Sequence, residues 1–158
     1  MTIVRDGGKD DAKDLARMIS DFNIEEGSPG RLTEAGIHDL CFEERPHFHA
    51  LVAEDKGELV GYALIMRHFD TEHCAYCSYM QDLYVIRGRR SEGIGRLLVA
   101  AAARRTIDLG CLELMWHVRD DNNRGRAFYA SIGAEERSPI PVNLSGDALR
   151  ELAREAEP

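Results

Sequence analysis

The sequence lacks the features of several protein classes. Its 158 residues contain no run of 18 apolar residues and no cationic segment followed by an apolar one. We therefore expect neither a membrane span nor an export signal. Internal repeats and low-complexity tracts are also missing. These absences, with a length suited to one core, predict a single domain over residues 1–158 in a soluble, cytoplasmic protein.

An excess of basic side chains is missing as well. The chain has 20 Lys and Arg against 28 Asp and Glu, a net charge of −8. Binding to nucleic acid depends largely on cationic neutralisation of phosphates, so we expect no nucleic-acid partner. The acidic excess favours a cationic acceptor instead.

Cysteine is scarce and poorly placed for metal binding. The chain has four cysteines, of which Cys74 and Cys77 form a CxxC pair. A structural zinc site needs four ligands, yet no second CxxC or spaced His pair follows, and His73 is the only close candidate. We predict no metal and reduced thiols.

The most informative stretch is YMQDLYVIRGRRSEGIGRLL, residues 79–98. Residues 79–86 have the aromatic and branched content of a buried strand. From Ile94 to about Leu109 the apolar residues recur with helical spacing, and Gly110 is a stop signal. The turn between them carries several arginines, and its glycines allow close backbone approach to a ligand. Free N–H groups at a helix start add an anion site.

Two common phosphate loops fail the spacing test in this turn. A GxGxxG fingerprint needs a glycine where Leu98 stands, and a Walker loop needs Lys then Ser or Thr where Arg96 and Leu97 stand. The pattern that fits is RxxGxG, at Arg90, Gly93 and Gly95. The alternative is an ordinary glycine turn with solvated arginines.

The segments on either side predict further elements. Upstream we expect a first strand, two helices and a hairpin, at residues 2–5, 10–22, 32–42 with Thr33 as N-cap, 48–54 and 59–67. Downstream, residues 112–118 (LELMWHV) read as a strand and 122–133 as a short helix with Gly133 just past its end. On structural grounds alone, Asn122 caps that helix and Tyr129 packs beside Phe128.

In this order, strand, RxxGxG, helix, strand, Asn and AFYxxxGA resemble the GCN5-related N-acetyltransferase superfamily, over nearly the whole chain. The closest likeness is to its spermidine/spermine and diamine branch, through PHFHALVAE, MQDLYV, AFYASIGA and VNLSGDALRELA. The resemblance implies an α/β (α+β) fold with a mixed, mostly antiparallel twisted sheet of about seven strands and four to five helices. It also implies an N-acetyltransferase that uses acetyl-CoA.

The same resemblance implies the cofactor-binding residues. They belong to the strand before the loop, the loop itself and the start of the later helix: Leu83, Tyr84, Val85, Arg90, Ser91, Glu92, Gly93, Ile94, Gly95, Arg96, Asn122 and Gly125.

For catalysis, the resemblance assigns Tyr129 as the acid that protonates the leaving thiolate. The branch carries Glu-Asp at the position where this chain has Gln81-Asp82. Because glutamine cannot accept a proton at neutral pH, Asp82 is the candidate base, with Glu26 or a water chain as alternatives. We expect Glu26, Gln81 and Asp82 to contact the amine. Direct attack is expected, and a relay through Cys77 or Cys111 is the alternative.

The acceptor class stays open at this point. A small-molecule primary amine, such as a polyamine, diamine or amino-acid-like amine, is the first hypothesis. The alternatives are a protein lysine or N-terminus, and a non-catalytic acyl-CoA-binding module that Gln81 keeps open.

The C-terminal segment, residues 139–153, predicts a homodimer. Residues 142–144 read as a short apolar strand, and the next helix places Leu149, Leu152 and Ala153 on one face. In the resembling branch this region packs against a second subunit. The alternative is that it folds back on its own sheet.

Overall fold

A computed structural model describes residues 1–137 and 142–155. Its contacts divide the chain into two compact units, Met1–Val118 and Arg119–Pro158. The first unit contains the sheet, and the second contains two helices.

The first unit is built on a five-stranded sheet in the order β1-β2-β3-β4-β5. The strands are β1 (Ile3–Asp6), β2 (His49–Asp55), β3 (Glu58–Asp70), β4 (Ala75–Val85) and β5 (Leu114–Met115). β1 to β4 pair antiparallel, and β5 pairs parallel to β4. The prediction of a mixed, mostly antiparallel sheet is therefore confirmed.

The number of strands differs from the prediction. The described residues form five strands rather than about seven. The strand expected at 112–118 is reduced to two residues, because β5 pairs with β4 only at Ser78 and Tyr79. Residues 142–144 are not a strand. Val142 is 90% exposed, and a segment this short needs a neighbouring strand to satisfy its backbone. Residues 138–141, which include the first residues of the predicted C-terminal segment, lie outside the described residues.

The first unit has three helices: α1 (Ala12–Glu25), α2 (Glu34–Cys41) and α3 (Ile94–Asp108). α1 and α3 pack on the sheet, and α2 packs against α1. The predicted N-cap of α2 is confirmed, since the Thr33 hydroxyl oxygen accepts a hydrogen bond from the Gly36 N–H at 3.1 Å. Gly110 follows α3 with a φ of +66°, as expected of a helix-ending glycine.

The core lies on both faces of the sheet. On one face, Leu15 and Met18 of α1 are fully buried with Val52 and Tyr62. α3 packs against β2, β3 and β4 and buries Leu98 completely. Burial of a large apolar side chain contributes about 1.5–3 kcal/mol, so these residues hold both helices on the sheet that carries the site.

The second unit contains α4 (Asn123–Ser131) and α5 (Gly146–Arg154). Gly133 follows α4 with a φ of +86°, which confirms its predicted place past the helix end. Arg126 holds the segment after α4 through two hydrogen bonds to Glu136, at 2.7 and 2.8 Å. With these two helices the described residues contain five α-helices, within the expected number.

None of the described helices is both long and apolar enough to cross a membrane. All four cysteines are free thiols.

Candidate active site

The RxxGxG turn has two left-handed residues just before α3. Ser91 and Gly93 both have a left-handed backbone, with φ of +70° and +83°. Left-handed residues that alternate with residues of ordinary backbone turn successive N–H groups toward one side, and this arrangement is an anion-binding nest. A Cβ built on Gly93 would meet no atom within 4 Å. The backbone there is open to a ligand.

The first turn of α3 adds donors to this nest. Leu97 is the first residue whose N–H is bonded within the helix, to the Gly93 carbonyl at 3.1 Å. The N–H groups of Ile94, Gly95 and Arg96 come before it, where an α-helix has no carbonyl to offer. They lie at the positive end of the helix dipole. This is the geometry that binds a phosphate at a helix start.

The strand before the loop has an unpaired edge. The Ile86 N–H donates to the Val60 carbonyl at 3.1 Å, so Tyr84 and Ile86 direct their backbone groups toward β3. By alternation, Leu83 and Val85 direct theirs to the opposite edge. Within residues 1–118 no strand pairs with that edge beyond Tyr79. The Leu83 backbone and the Val85 N–H can therefore bond to an extended ligand, while the Val85 carbonyl accepts a hydrogen bond from Arg90 Nε at 2.8 Å.

Most arginines of the loop are engaged by carboxylates. Arg87 and Arg90 both bond to Glu25, at 2.9 and 2.7 Å. Arg89 bonds to Asp55 at 3.1 Å, and also to the predicted cofactor residue Glu92 at 2.7 Å. Arg96, exposed on the first turn of α3, has no ion pair among the described residues.

Asp82 owes its orientation to a bulge in β4. Leu64 pairs with Asp82 and the next residue, Ile65, pairs with Met80. Gln81 is therefore the extra residue, and its side chain is exposed. A bulge re-aims the side chains that follow it, and bulges are frequent beside active sites. Asp82 lies on the same face of the sheet as Tyr62, which pairs with Tyr84.

The environment of Asp82 favours a base. Burial raises the pKa of its carboxyl above the ordinary value of 3.8, and a hydrogen bond from Tyr62 acts in the opposite direction. The Tyr62 hydroxyl donates to Asp82 Oδ2 at 3.3 Å, and Tyr62 is fully buried. A raised pKa makes a carboxylate a stronger proton acceptor near neutral pH.

The other predicted acid at the site, Glu26, lies at the C-cap of α1 and is exposed. Its neighbour Glu25 faces inward instead. The Glu25 carboxylate accepts hydrogen bonds from Tyr84, Arg87 and Arg90. Burial opposes its ionisation, but the bonds from Arg90, Arg87 and Tyr84 outweigh burial and lower its pKa.

In the second unit, the predicted residues lie on α4. Asn122 is the N-cap, and its Oδ1 accepts from the Gly125 N–H at 2.9 Å. Tyr129 packs against Phe128 with ring centroids 5.2 Å apart. The structural roles considered for Asn122 and Tyr129 are thus both present. Burial raises the pKa of Tyr129 above 10, so its hydroxyl keeps its proton at neutral pH and can act as an acid.

The described residues contain no group of three or more His, Cys, Asp or Glu side chains that could hold a metal ion.

Comparison with known proteins decides the family. The profile of the Acetyltransferase (GNAT) family matches residues 13–134. The chain belongs to the GNAT family. It is an N-acetyltransferase, so the predicted superfamily and enzyme class are confirmed and the non-catalytic alternative is not kept.

Individual relatives narrow the likeness. The chain is 29% identical to Thialysine N-epsilon-acetyltransferase of Mus musculus over 166 residues, which cover 96% of this chain and 97% of the mouse protein. It is 30% identical over 78 residues to a D-amino-acid N-acetyltransferase of Saccharomyces cerevisiae, which is 49% of this chain and 48% of the yeast protein. Both relatives are named for amines of small molecules.

A solved structure shares the fold of this chain. An integron cassette protein from the mobile metagenome of V. cholerae has a TM-score of 0.79 and 24% identity, over 97% of this chain and 98% of that chain. At this identity the likeness speaks for the fold alone.

Two contacts beside the site were not predicted from the sequence. Glu25 is 65 positions away from Arg90, and Tyr62 is 20 positions away from Asp82. Each contact depends on how strands and helices pack. For Tyr62, the strand alternation of the hairpin was the one available signal. It places Tyr62 on the same face of β3 as Leu64, the residue that pairs with Asp82.

Proposed function

We propose that this GNAT enzyme transfers the acetyl group of acetyl-CoA to a primary amine of a small molecule. The observation that supports the proposal is a run of three ligand-binding features within Met1–Val118. The free edge of β4 at Leu83 and Val85, the nest at Ser91–Gly93 and the start of α3 follow one another along the chain. Asp82 lies on β4 directly before Leu83.

The backbone supplies most of the cofactor site in this proposal. N–H groups of residues 91–96 bind the pyrophosphate, with Arg96 as an added cation. Leu83 and Val85 hold the extended pantetheine part through backbone hydrogen bonds, and Tyr84 between them anchors β4 to its neighbour. Arg90 and Glu92 support the loop, and Asn122 and Gly125 contribute from the start of α4.

Asp82 receives the proton of the amine. An alkyl ammonium has a pKa of about 10 and is not nucleophilic until it loses a proton. The carboxylate of Asp82 binds the ammonium and accepts that proton, while Gln81 and Glu26 contribute further polar contacts to the amine. The relatives named for thialysine and D-amino acids favour an amino-acid-like amine.

The acetyl transfer is a direct attack. The amine nitrogen bonds to the thioester carbon, the carbon–sulfur bond breaks, and the thiolate takes a proton from the Tyr129 hydroxyl. The alternative relay through cysteine is disfavoured at Cys77, because burial raises the pKa of that thiol and leaves it in the unreactive form.

We also propose a domain organisation and an oligomeric state for the chain. The chain is a single domain, because the family match over residues 13–134 crosses the boundary between the two compact units. It forms a homodimer through the C-terminal segment, because Leu149 and Leu152 of α5 are about half exposed and apolar area of this kind favours association. A molecular mass near 17.7 kDa, the mass of one chain, measured by light scattering would contradict the dimer. Cytoplasmic location stays a prediction from the sequence.

The test is an acetylation screen of candidate acceptors. Wild-type protein is incubated with acetyl-CoA and with thialysine, lysine, ornithine, a D-amino acid, spermidine or a lysine peptide. Mass spectrometry should find acetylated free amino acid in preference to acetylated peptide. Modification of the peptide alone would contradict the small-molecule acceptor.

A further inference from the structure

The Glu25 carboxylate accepts hydrogen bonds from three donors that belong to β4 and the RxxGxG loop. It accepts from the Tyr84 hydroxyl at 3.1 Å, from Arg87 Nε at 2.9 Å and from Arg90 Nη2 at 2.7 Å. The Glu25 side chain is only 17% exposed, against 74% for Arg87. The bond to Arg90 is thus the better shielded of the two ion pairs, since Arg90 is 30% exposed.

The position of Glu25 would be unfavourable without those donors. It is the last residue of α1, where the helix dipole repels a carboxylate and attracts cations. Two arginines from one loop reverse this situation. They neutralise the carboxylate and lie at the negative end of the helix, so the contact joins the end of α1 to the RxxGxG loop.

Arg90 is the residue through which this contact reaches the cofactor loop. Its Nε donates to the Val85 carbonyl at 2.8 Å, while its Nη2 is held by Glu25. The guanidinium therefore spans from β4 to α1 and lies 5.4 Å from the centre of the Tyr84 ring. Ser91, the first residue of the nest, follows Arg90 directly. With two of its three guanidinium nitrogens engaged, the Arg90 side chain is held in place before any ligand binds.

We propose that Glu25 is a positioning residue for cofactor binding, which holds Arg90 and so keeps the RxxGxG turn in the conformation that receives the phosphates. This inference rests on the proposed binding of acetyl-CoA by that turn. In this role Glu25 acts through Arg90 rather than by contact with the phosphates or the reacting atoms. Because Glu25 already orders the loop, cofactor binding does not have to supply the free energy of ordering it. Preorganisation of this kind increases the affinity for the cofactor.

Steady-state kinetics of Glu25→Ala, Glu25→Gln and Arg90→Gln test the proposal. We expect Glu25→Ala to raise the KM for acetyl-CoA by about tenfold, the effect of losing one hydrogen bond between charged groups. The kcat at saturating acetyl-CoA should stay close to wild type. Glu25→Gln should raise this KM less, because its amide oxygen still accepts one bond from Arg90.

A double-mutant cycle separates this role from a general loss of stability. Glu25→Ala combined with Arg90→Gln should raise the KM for acetyl-CoA no further than the larger single change, because both act through one contact. Asp14→Asn is the matched control, since it removes a carboxylate from the same helix that pairs with Arg17 at 3.1 Å on the surface. Additive effects, or an unchanged KM in Glu25→Ala, would overturn the proposal.

Proteolysis tests the inference without the cofactor. Trypsin cleaves after arginine, and the loop offers Arg87, Arg89 and Arg90. In the free protein, Glu25→Ala should be cut at these sites several-fold faster than wild type and Asp14→Asn, as read by mass spectrometry. Equal cleavage would refute the positioning role. If cleavage rises but acetyl-CoA binds neither wild type nor variant, the proposed function fails instead and the loop contact stands.

Discussion

Substitution of Gly93 by alanine should separate cofactor binding from folding. Gly93 precedes α3 with a φ of +83°, and a Cβ there would meet no atom of the protein within 4 Å. The alanine methyl group therefore fits sterically, and its cost to folding is the left-handed backbone, roughly 1–2 kcal/mol. In a chain of this length that lowers Tm by about 2–8 °C.

The cost to acetyl-CoA binding should be larger. The methyl group projects into the open space over the nest, where a phosphate would approach the backbone. Loss of one hydrogen bond to a charged group is worth about 1.5–3 kcal/mol. We therefore expect the Kd for acetyl-CoA, measured by isothermal titration calorimetry, to rise by roughly 10- to 100-fold.

Gly110→Ala is the matched control for this substitution. Gly110 has a φ of +66° and the same open surroundings, but it lies past the other end of α3, about 22 Å away for a 15-residue helix. The two variants should lose similar stability, and only Gly93→Ala should lose affinity. Equal affinities for acetyl-CoA would refute the assignment of the turn as the phosphate site.

The remaining predictions concern protons. Asp82→Asn should lower kcat by about 100-fold or more in a coupled thiol-release assay. A wild-type kcat in Asp82→Asn would show that Asp82 is not the base. Because the pKa of Asp82 is raised in the folded state, its contribution to stability is present at low pH and is lost as the pH rises. Asp82→Asn should therefore not lower Tm at pH 7. Tyr129→Phe should lower kcat by about 100-fold and leave the KM for acetyl-CoA unchanged, whereas unchanged turnover would return Tyr129 to a packing role. Glu25 has a lowered pKa, so its contribution is present above its ordinary value of 4.5 and is lost as pH falls. Glu25→Gln should therefore unfold more easily than wild type in urea at pH 7, with the gap closing in acid; a gap that widened in acid would contradict the ion pair.

Much of the architecture could be predicted because its causes are local. The Thr33 cap, the glycine past α3 and the hairpin of β2 and β3 each depend on residues close together in sequence. The RxxGxG spacing likewise places the nest and the start of α3 without any knowledge of the fold.

The parts that could not be predicted depend on distant contacts. Glu25 and Glu26 are adjacent acids, and sequence reasoning chose Glu26 for the site. The orientation of α1 on the sheet places Glu25 in contact with Arg90 and leaves Glu26 exposed. The length of β5 was overestimated for a similar reason, because apolar residues after Met115 suggest a strand while pairing with β4 stops at Tyr79.

The acetylation of a small amine is the most direct test of the proposed function. Purified enzyme, acetyl-CoA and thialysine should yield N-acetylthialysine and free CoA in equal amounts, as quantified by liquid chromatography with mass spectrometry, and Asp82→Asn should yield far less of both. Free CoA without acetylated amine, or no product with any amino acid, diamine or polyamine in the screen, would contradict the proposal.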